Sequence, residues 1–214
     1  LHEDYLYIGY KIGGPKHNPP NIYWGLKYSP VNWPDFKSTI LPANSSQVLI
    51  ALGGGFKKED IIKIIFSLNQ INSISNIKVI LSPVNKTTQF NKNKFSSKNI
   101  IFVKNKKNLK SLIENSGLII CSYGHFAYEA MSLGKALCIF GKKKFQAQYA
   151  DILEKYGYCI SGGMIDKISQ SSLTLKIRET ILNKYSFESK TEKEVDKNGL
   201  ARIAKIISKE VEKF

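Results

Sequence analysis

The feature that most constrains the fold of this chain is a regular alternation of short apolar runs with amphipathic stretches, which begins at Gln47. The apolar runs are continuous, as is typical of strands that are covered on both faces. Between them, apolar residues recur with helical spacing, as in the isoleucine-rich stretch 57–70. Strands that alternate with helices predict βαβ crossovers, and hence an α/β domain with a Rossmann-like parallel sheet of about six strands and helices on both faces. The predicted strands cover residues 47–52, 77–82, 99–103, 117–121, 136–140 and 158–160, and the predicted helices cover residues 57–70, 107–115, 124–133, 145–156, 171–183 and 199–213.

Residues 1–46 differ from the rest in composition. Proline lacks a backbone N–H and fixes φ, so long helices are excluded there. We therefore predict two parts, an irregular arm or interlobe segment over 1–46, with a short strand near Ile8 or Tyr23, and the α/β domain over 47–214. Six of the seven prolines lie in the first part, namely Pro15, Pro19, Pro20, Pro30, Pro34 and Pro42.

The net charge of +15 raises the question of nucleic-acid binding. Surfaces that bind nucleic acid use arginine heavily for bidentate contacts. Here only Arg178 and Arg202 are arginines, and the lysines are scattered. We therefore predict no nucleic-acid partner and attribute the lysine content to an AT-rich genome. The positive field still favours small anions such as a nucleotide diphosphate.

The three cysteines, Cys121, Cys138 and Cys159, each lie in an apolar run of the strand type. They form no C-x-x-C pair, so we predict neither a metal site nor a cofactor, but buried thiols in a reducing cytoplasm. No apolar run approaches the length of a transmembrane segment, and no signal peptide is recognisable. The chain starts at Leu1 and not at a methionine, which predicts a piece of a longer protein.

Two predicted strand ends carry residues suited to a ligand, and parallel α/β sheets bind ligands at the carboxyl ends of their strands. The first is Gly53-Gly54-Gly55, directly before a helix. Glycines let the backbone approach a phosphate closely, and the N-terminus of a helix supplies free N–H groups. The run does not match G-x-G-x-x-G, and a P-loop is absent. A tight turn without a ligand is the alternative.

The second strand end is the run 121–126, a glycine turn that leads into the next predicted helix, with Glu129 about one turn further on. A carboxylate offers two acceptor oxygens to the two vicinal hydroxyls of a ribose. A structural acid favoured by the helix dipole is the alternative. His125 fits either a ligand contact or a polar cap.

The stretch 122–134 resembles the glycine-turn–Glu–Ala–Leu–Gly signature of GT-B glycosyltransferases of the MurG type. It is more similar to PseG, the hydrolase of pseudaminic acid biosynthesis, and to its spore-coat relative SpsG. Three further stretches occur in the order of that family, so the similarity covers about residues 22–205. Residues 23–30 with Phe36 resemble the segment G-x-x-Y-x-x-L-R-x-x-F at the lobe junction, 53–55 the Gly-Gly-Ser/Thr turn, and 196–203 the closing D-G-x-G-A-x-R-V.

The resemblance implies the C-terminal, nucleotide-sugar-binding lobe of a two-lobe enzyme, with a UDP-sugar or UDP as ligand. Glu129 would bind the ribose, and backbone groups at 53–55 and 124–126 would hold the diphosphate. Gln146 falls where the family's Asn-Gln pair approaches the sugar, with Phe145 in place of the asparagine. The predicted substrate-binding residues are Gly53, Gly54, Gly55, Ser122, Tyr123, Gly124, His125, Phe126, Glu129 and Gln146.

The sequence departs from the family at the second turn. Tyr123 stands where MurG-like proteins have glycine, and His125-Phe126 where many have Ser-Thr. The hydroxyl contacts to phosphate would then be lost, and His125 could replace them as a donor.

In that family the N-terminal lobe supplies the acceptor side, including the histidine thought to serve as general base. Residues 1–46 leave no room for such a lobe, and His2 and His17 do not follow a strand in the family's Gly-x-Gly-His manner. We therefore assign no catalytic residue and expect the missing N-terminal lobe of the same polypeptide as a partner.

The first hypothesis is the lobe of a PseG-like hydrolase in surface polysaccharide or nonulosonic acid biosynthesis, which cleaves a UDP-linked deoxy-amino sugar with water and no metal. The alternatives are the donor lobe of a MurG-like glycosyltransferase and a non-catalytic binding module.

Overall fold

The computed structural model describes residues 6–10, 12, 22–31, 33, 46–82, 90, 98–104, 108–195 and 197–212. The prediction that concerns Phe36 and those for His2 and His17 lie outside these residues, as do most of the prolines of the arm and Asp196.

Within the described ranges the strands form a six-stranded sheet and a separate two-stranded sheet. Every strand pair in both sheets is parallel. The strands are β1 (Tyr7–Gly9), β2 (Ile22–Trp24), β3 (Gln47–Ala51), β4 (Asn76–Ile80), β5 (Asn99–Val103), β6 (Leu118–Ser122), β7 (Leu137–Gly141) and β8 (Ile160–Met164). The helices are α1 (Lys58–Asn69), α2 (Leu109–Glu114), α3 (His125–Ser132), α4 (Lys144–Lys155), α5 (Gln170–Leu182), α6 (Lys184–Glu194) and α7 (Gly199–Val211).

The strand order of the large sheet is β5-β4-β3-β6-β7-β8. Counted from Gln47, this is the order 3-2-1-4-5-6 of doubly wound nucleotide-binding folds. Strands β4 and β5 therefore lie on one side of β3, and strands β6, β7 and β8 lie on its other side. The predicted Rossmann-like α/β sheet is confirmed.

Side chains of the central strands alternate between two apolar clusters, one on each face of the sheet. Val48 and Ile50 pack with residues of α1 and α5 in the first cluster. Leu49 and Ala51 pack with residues of α2, α3 and α4 in the second. Helices thus cover both faces, which explains why the strands are apolar without alternation.

The last predicted strand is wrong in its position. The strand was expected over 158–160, but it begins only at Ile160, which pairs with Cys138. Gly157 and Tyr158 instead close the end of α4 by donating to Glu154 O at 2.8 Å and Leu153 O at 3.0 Å. The strand that forms, β8, contains Ser161, Gly162 and Gly163 and so lacks an apolar signal. Gly162 has a packing reason, since a Cβ there would lie 2.0 Å from Cε1 of Phe140.

Helix α6 was not predicted, because its residues have no apolar periodicity. It is supported by charge pairs at i,i+4 spacing, Lys184 with Glu188 at 3.7 Å and Lys190 with Glu194 at 3.8 Å. The helices predicted over 171–183 and 199–213 are present as α5 and α7.

The arm contains both of the suggested strands, and they pair with each other. A 3₁₀ turn at Leu26–Tyr28 follows, and the chain then packs against the start of α7. Leu200 N donates to Val31 O at 3.1 Å, and Trp33 Nε1 donates to Ser132 Oγ at 3.1 Å. The arm is therefore attached to the domain at α3 and α7. The division of the chain at residue 46 stays a prediction.

Among the helices that the structure describes, none combines the length and the apolar character needed to cross a bilayer.

Candidate functional site

The reversal of strand order places the carboxyl ends of β3 and β6 side by side, with Ala51 opposite Cys121. From β3 the chain turns into α1 on one face of the sheet, and from β6 it turns into α3 on the other. Such a point leaves a crevice between the two turns, and open α/β sheets bind their ligands there. The prediction that the two glycine turns meet is confirmed.

A cavity of about 210 Å³ occupies this crevice. Most of the predicted binding residues border it. Three further residues come from the end of β4 and one from the start of α2, which form a largely apolar wall. The lining residues are Ala51, Gly53, Gly54, Ile80, Leu81, Ser82, Leu109, Ser122, Gly124, His125 and Phe126.

The first turn contains a glycine that the backbone requires. Gly53 has φ +79°, in the left-handed region that residues with a Cβ rarely adopt. Gly54 and Gly55 are exposed, and among the described residues no atom other than those of the chain neighbours lies within 4 Å of a Cβ at either position. After the turn, the Asp60 carboxylate caps the start of α1 by accepting a hydrogen bond from Lys57 N at 2.8 Å. Within the described part of the chain, the backbone of this turn is therefore exposed on the side of Gly54 and Gly55.

The second turn leads directly into α3. Ala127 N donates to Gly124 O at 3.0 Å, so the helix begins at His125, and its first N–H groups lack intrahelical partners. His125 and Phe126 both border the cavity, and the His125 side chain is 49% exposed. An anion in the crevice would meet the positive end of the helix dipole.

Glu129 lies one turn into α3, beside the cavity and not in its lining. Its side chain is 19% exposed, and its Oε1 lies 3.4 Å from His125 Nε2. The carboxylate is therefore partly exposed and lies next to the His125 side chain, which borders the cavity. Its predicted contact with ribose stays a prediction.

Tyr123 contributes its backbone to the second turn, while its ring lies in the apolar cluster behind it. The ring stacks on Tyr149 at a centroid distance of 5.2 Å, and its hydroxyl lies 2.9 Å from that of Tyr128. Burial raises the pKa of Tyr128, and the hydrogen bond with Tyr123 raises it further. The side chain of Tyr123 thus lies in the core and does not border the cavity.

Gln146 uses its carboxamide within the protein. Its Oε1 accepts from Lys142 N and Lys143 N, both at 3.0 Å, and its Nε2 donates to Tyr123 O at 3.2 Å. It does not border the cavity. The predicted approach of Gln146 to a sugar stays a prediction.

Sequence reasoning did not find the wall formed by Ile80, Leu81, Ser82 and Leu109. The signal was the strand order. In a 3-2-1-4-5-6 sheet the second strand along the chain neighbours the first, so its carboxyl end also borders the crevice. In the described part of the chain, no three or more His, Cys, Asp or Glu side chains come together as a metal site would need.

No protein-family model matches this sequence, and no curated protein does. Similar solved structures exist. MurG of Acinetobacter baumannii has a TM-score of 0.62 at 13% identity, over 90% of this chain and 58% of MurG. WaaG, a glycosyltransferase involved in lipopolysaccharide biosynthesis, has a TM-score of 0.61 at 14% identity, over 89% of this chain and 57% of WaaG. The spinosyn rhamnosyltransferase SpnG, complexed with thymidine diphosphate, has a TM-score of 0.57 at 18% identity, over 76% of this chain and 45% of SpnG.

These similarities establish the fold alone, a Rossmann-like lobe with a six-stranded parallel sheet like that found in MurG and WaaG. The chain spans about half the length of the structures it matches. The narrower resemblance to PseG and SpsG stays a prediction.

Proposed function

We propose that this chain is the nucleotide-sugar-binding lobe of a glycosyltransferase with two lobes of the GT-B type. The observation that carries the proposal is the crevice between the two glycine turns at the switch point of the sheet. It combines backbone groups open to solvent at Gly53–Gly55 with the N-terminus of α3. Both features suit a diphosphate. SpnG, which has a similar fold, was solved with thymidine diphosphate.

In this proposal each part of the ligand has its own place. The diphosphate lies between the two turns, and the nucleobase lies against the apolar wall of Ile80, Leu81 and Leu109. The ribose hydroxyls reach Glu129. A flat base suits an apolar wall because its burial removes apolar surface from water. The net charge of +15 adds an attraction for a nucleoside diphosphate at long range.

The reaction in this proposal is the transfer of a glycosyl group. A hydroxyl oxygen of the acceptor attacks the anomeric carbon, and the bond from that carbon to the diphosphate oxygen breaks. The nucleoside diphosphate leaves with the bonding electron pair, and a base takes the proton of the acceptor hydroxyl. The N–H groups of the two turns stabilise the negative charge that develops on the leaving diphosphate. We place the base and the acceptor site on the second lobe.

Three features of the described surface support a second lobe. First, β1 and β2 are three residues long each and form a sheet of their own. Two parallel strands of this length are marginal alone, and parallel sheets are normally larger and covered on both faces. A sheet that continues into another lobe accounts for them.

The second feature is α7, which is amphipathic but carries its apolar side in solvent. Leu200, Ile207 and Val211 lie on one face of this helix and are 45%, 46% and 65% exposed.

The third feature is Trp24, whose buried Nε1 has no acceptor among the described residues. A cavity of about 630 Å³ adjoins it, between the arm and α4. Helix α7 packs against the 3₁₀ turn of the arm, and Trp24 is part of the same arm. We therefore place the second lobe next to the arm, where it would cover both the apolar face of α7 and Trp24.

A hydrolase like PseG is the second candidate, favoured by the ordered motifs over residues 22–205. It differs from a transferase in the attacking group, which is water. The crevice described here holds the leaving group, which is the same in both reactions. The acceptor side of the second lobe decides between them.

Titration calorimetry on this chain with UDP, thymidine diphosphate and uridine tests the proposal. We expect one of the two diphosphates to bind more tightly than uridine, because the turns contribute only to the diphosphate. We also expect no turnover of any UDP-sugar by the chain alone. Absence of binding by both diphosphates would contradict the nucleotide-sugar proposal, and turnover proportional to the chain concentration would contradict the need for a second lobe.

A further inference from the structure

The two glycine turns of the crevice are connected through a third turn that does not itself border the cavity. This is the β7–α4 turn at Lys142 and Lys143. Each of its connections is made by a side chain with defined hydrogen-bond partners.

The first connection runs to the second glycine turn through Gln146. Its Oε1 accepts from the N–H groups of Lys142 and Lys143, at 3.0 Å each, which fixes the β7–α4 turn to the start of α4. Its Nε2 donates to the carbonyl of Tyr123 at 3.2 Å. Tyr123 directly precedes Gly124, so this bond holds the turn that presents the N-terminus of α3.

The second connection runs to the first glycine turn through Lys142. Its Nζ lies 3.1 Å from Asp60 Oδ2. The same carboxylate oxygen accepts from Lys57 N at 2.8 Å, at the point where the Gly53–Gly55 turn enters α1. The Asp60 side chain is 10% exposed and that of Lys142 23%, so the pair is shielded from solvent more than a surface ion pair.

The hydrogen-bonding capacity of Gln146 distinguishes a support from a ligand contact. A carboxamide has two acceptor lone pairs and two N–H donors. In Gln146 both lone pairs and one N–H are used within the protein. A ligand contact through the oxygen would require the release of a backbone N–H.

We propose that Gln146, together with Lys142, is a positioning residue that holds the two glycine turns at the separation a diphosphate requires. This inference rests on the proposed function for its ligand, while the connection between the turns stands on the hydrogen bonds alone. It assigns to Gln146 a role different from the sugar contact that the resemblance implies.

The variant Gln146→Glu tests this proposal selectively. A glutamate keeps the acceptor oxygen for Lys142 N and Lys143 N, so α4 stays capped, but it has no N–H to give to the Tyr123 carbonyl. The matched control is Gln148→Glu, which introduces the same charge on the same helix. Gln148 is exposed, and residues two positions apart do not share a helix face.

The first measurement is amide hydrogen exchange, which needs no ligand. We expect exchange in residues 123–127 to accelerate about fivefold in Gln146→Glu, as the loss of one hydrogen bond of about 1 kcal/mol implies. Exchange in α4 and in the Gln148→Glu control should stay as in the wild type. Unchanged exchange in residues 123–127 of Gln146→Glu would overturn the proposal whatever the ligand.

The second measurement compares the affinities of uridine, UDP and UDP-N-acetylglucosamine. A positioning role predicts that UDP and the UDP-sugar weaken by the same factor, about fivefold relative to the Gln148→Glu control, while uridine is unchanged. Weakening of the UDP-sugar alone would show a sugar contact and overturn the proposal. If exchange accelerates but the wild type binds neither UDP nor thymidine diphosphate, the turns are connected but hold no such diphosphate, so the proposed function fails and the positioning role with it.

Discussion

Replacing Gly53 by alanine separates the folding role of the first glycine turn from its binding role. Gly53 has φ +79°, and a Cβ there would lie 3.8 Å from Ser122 Oγ, which is an ordinary contact. The cost is therefore backbone strain and not a clash, about 1–2 kcal/mol for a residue with a Cβ in the left-handed region. In a protein of this size each kcal/mol lowers the melting temperature by about 2–4 °C. We expect a decrease of about 2–8 °C for Gly53→Ala.

The matched variant is Gly54→Ala. Gly54 is not among the glycines with positive φ, and a Cβ there meets no atom within 4 Å. Its melting temperature should equal or slightly exceed that of the wild type, since alanine restricts the unfolded chain. Its methyl group faces the side from which a phosphate would approach, so UDP should bind more weakly. Calorimetry and thermal unfolding measure both effects on both variants. Equal melting temperatures for the two variants would refute the strain argument, and wild-type UDP affinity in Gly54→Ala would refute the placement of the diphosphate.

Three further predictions concern Glu129, the cysteines and β8. Glu129→Gln should weaken UDP and uridine alike, about ten- to a hundredfold by titration calorimetry, because a charged hydrogen bond to ribose is lost. A lower melting temperature with unchanged affinity would instead show a structural acid. Burial raises the pKa of Cys138 to about 12, and it raises the pKa values of Cys121 and Cys159 as well. A thiol reagent at pH 8 should therefore label none of the three buried cysteines in the native protein and all of them after denaturation. The stabilisation from a raised thiol pKa is fully present below the ordinary value of 9.0, because both states are then protonated. Above it the unfolded state loses its thiol protons first, so the free energy of unfolding should fall as pH rises from 9 toward 12. A flat profile, or rapid labelling of the native protein, would show accessible thiols. Gly162→Ala should lower the free energy of unfolding by about 1–3 kcal/mol in denaturant titrations, because its Cβ would overlap the buried Phe140 ring, and wild-type stability would contradict the packing described.

The central sheet and the meeting of the two glycine turns could be predicted from the sequence because they depend on apolar runs and on the direction of parallel strands. Five of the six predicted strands of this domain appear close to their expected positions, while β8 does not. The edge strand β8 is short of apolar residues because Phe140 of the neighbouring strand fills the space beside Gly162. Such a compensation between two strands has no signature in either segment alone.

The candidate site shows a similar division. Residues of the turns, such as Gly53 and Gly124, could be assigned from their type and their place after a strand. The direction of a side chain in a turn could not, because the alternation that orients side chains in a strand ends there. Tyr123 was predicted among the binding residues, yet its ring packs on Tyr149 in the core. The partners of Gln146 depend on the approach of two turns that are distant in sequence, since Gln146 and Tyr123 are 23 residues apart.

The departure from Ser-Thr at His125-Phe126 has a physical consequence for how the crevice holds a diphosphate. Side-chain hydroxyls are absent from those two positions, so the donors of that turn are its backbone N–H groups, the Ser122 hydroxyl and the His125 ring, and both of these side chains border the cavity. Backbone donors are fixed by the fold, and their direction depends on how the turn is held. A crevice that relies on them needs its turns held in place, and Gln146 and Lys142 bond to these turns without bordering the cavity. Under the proposed function, the absence of hydroxyls at His125 and Phe126 and the presence of a hydrogen-bonded support are therefore compatible, because rigid backbone donors can replace flexible side chains at an anion site.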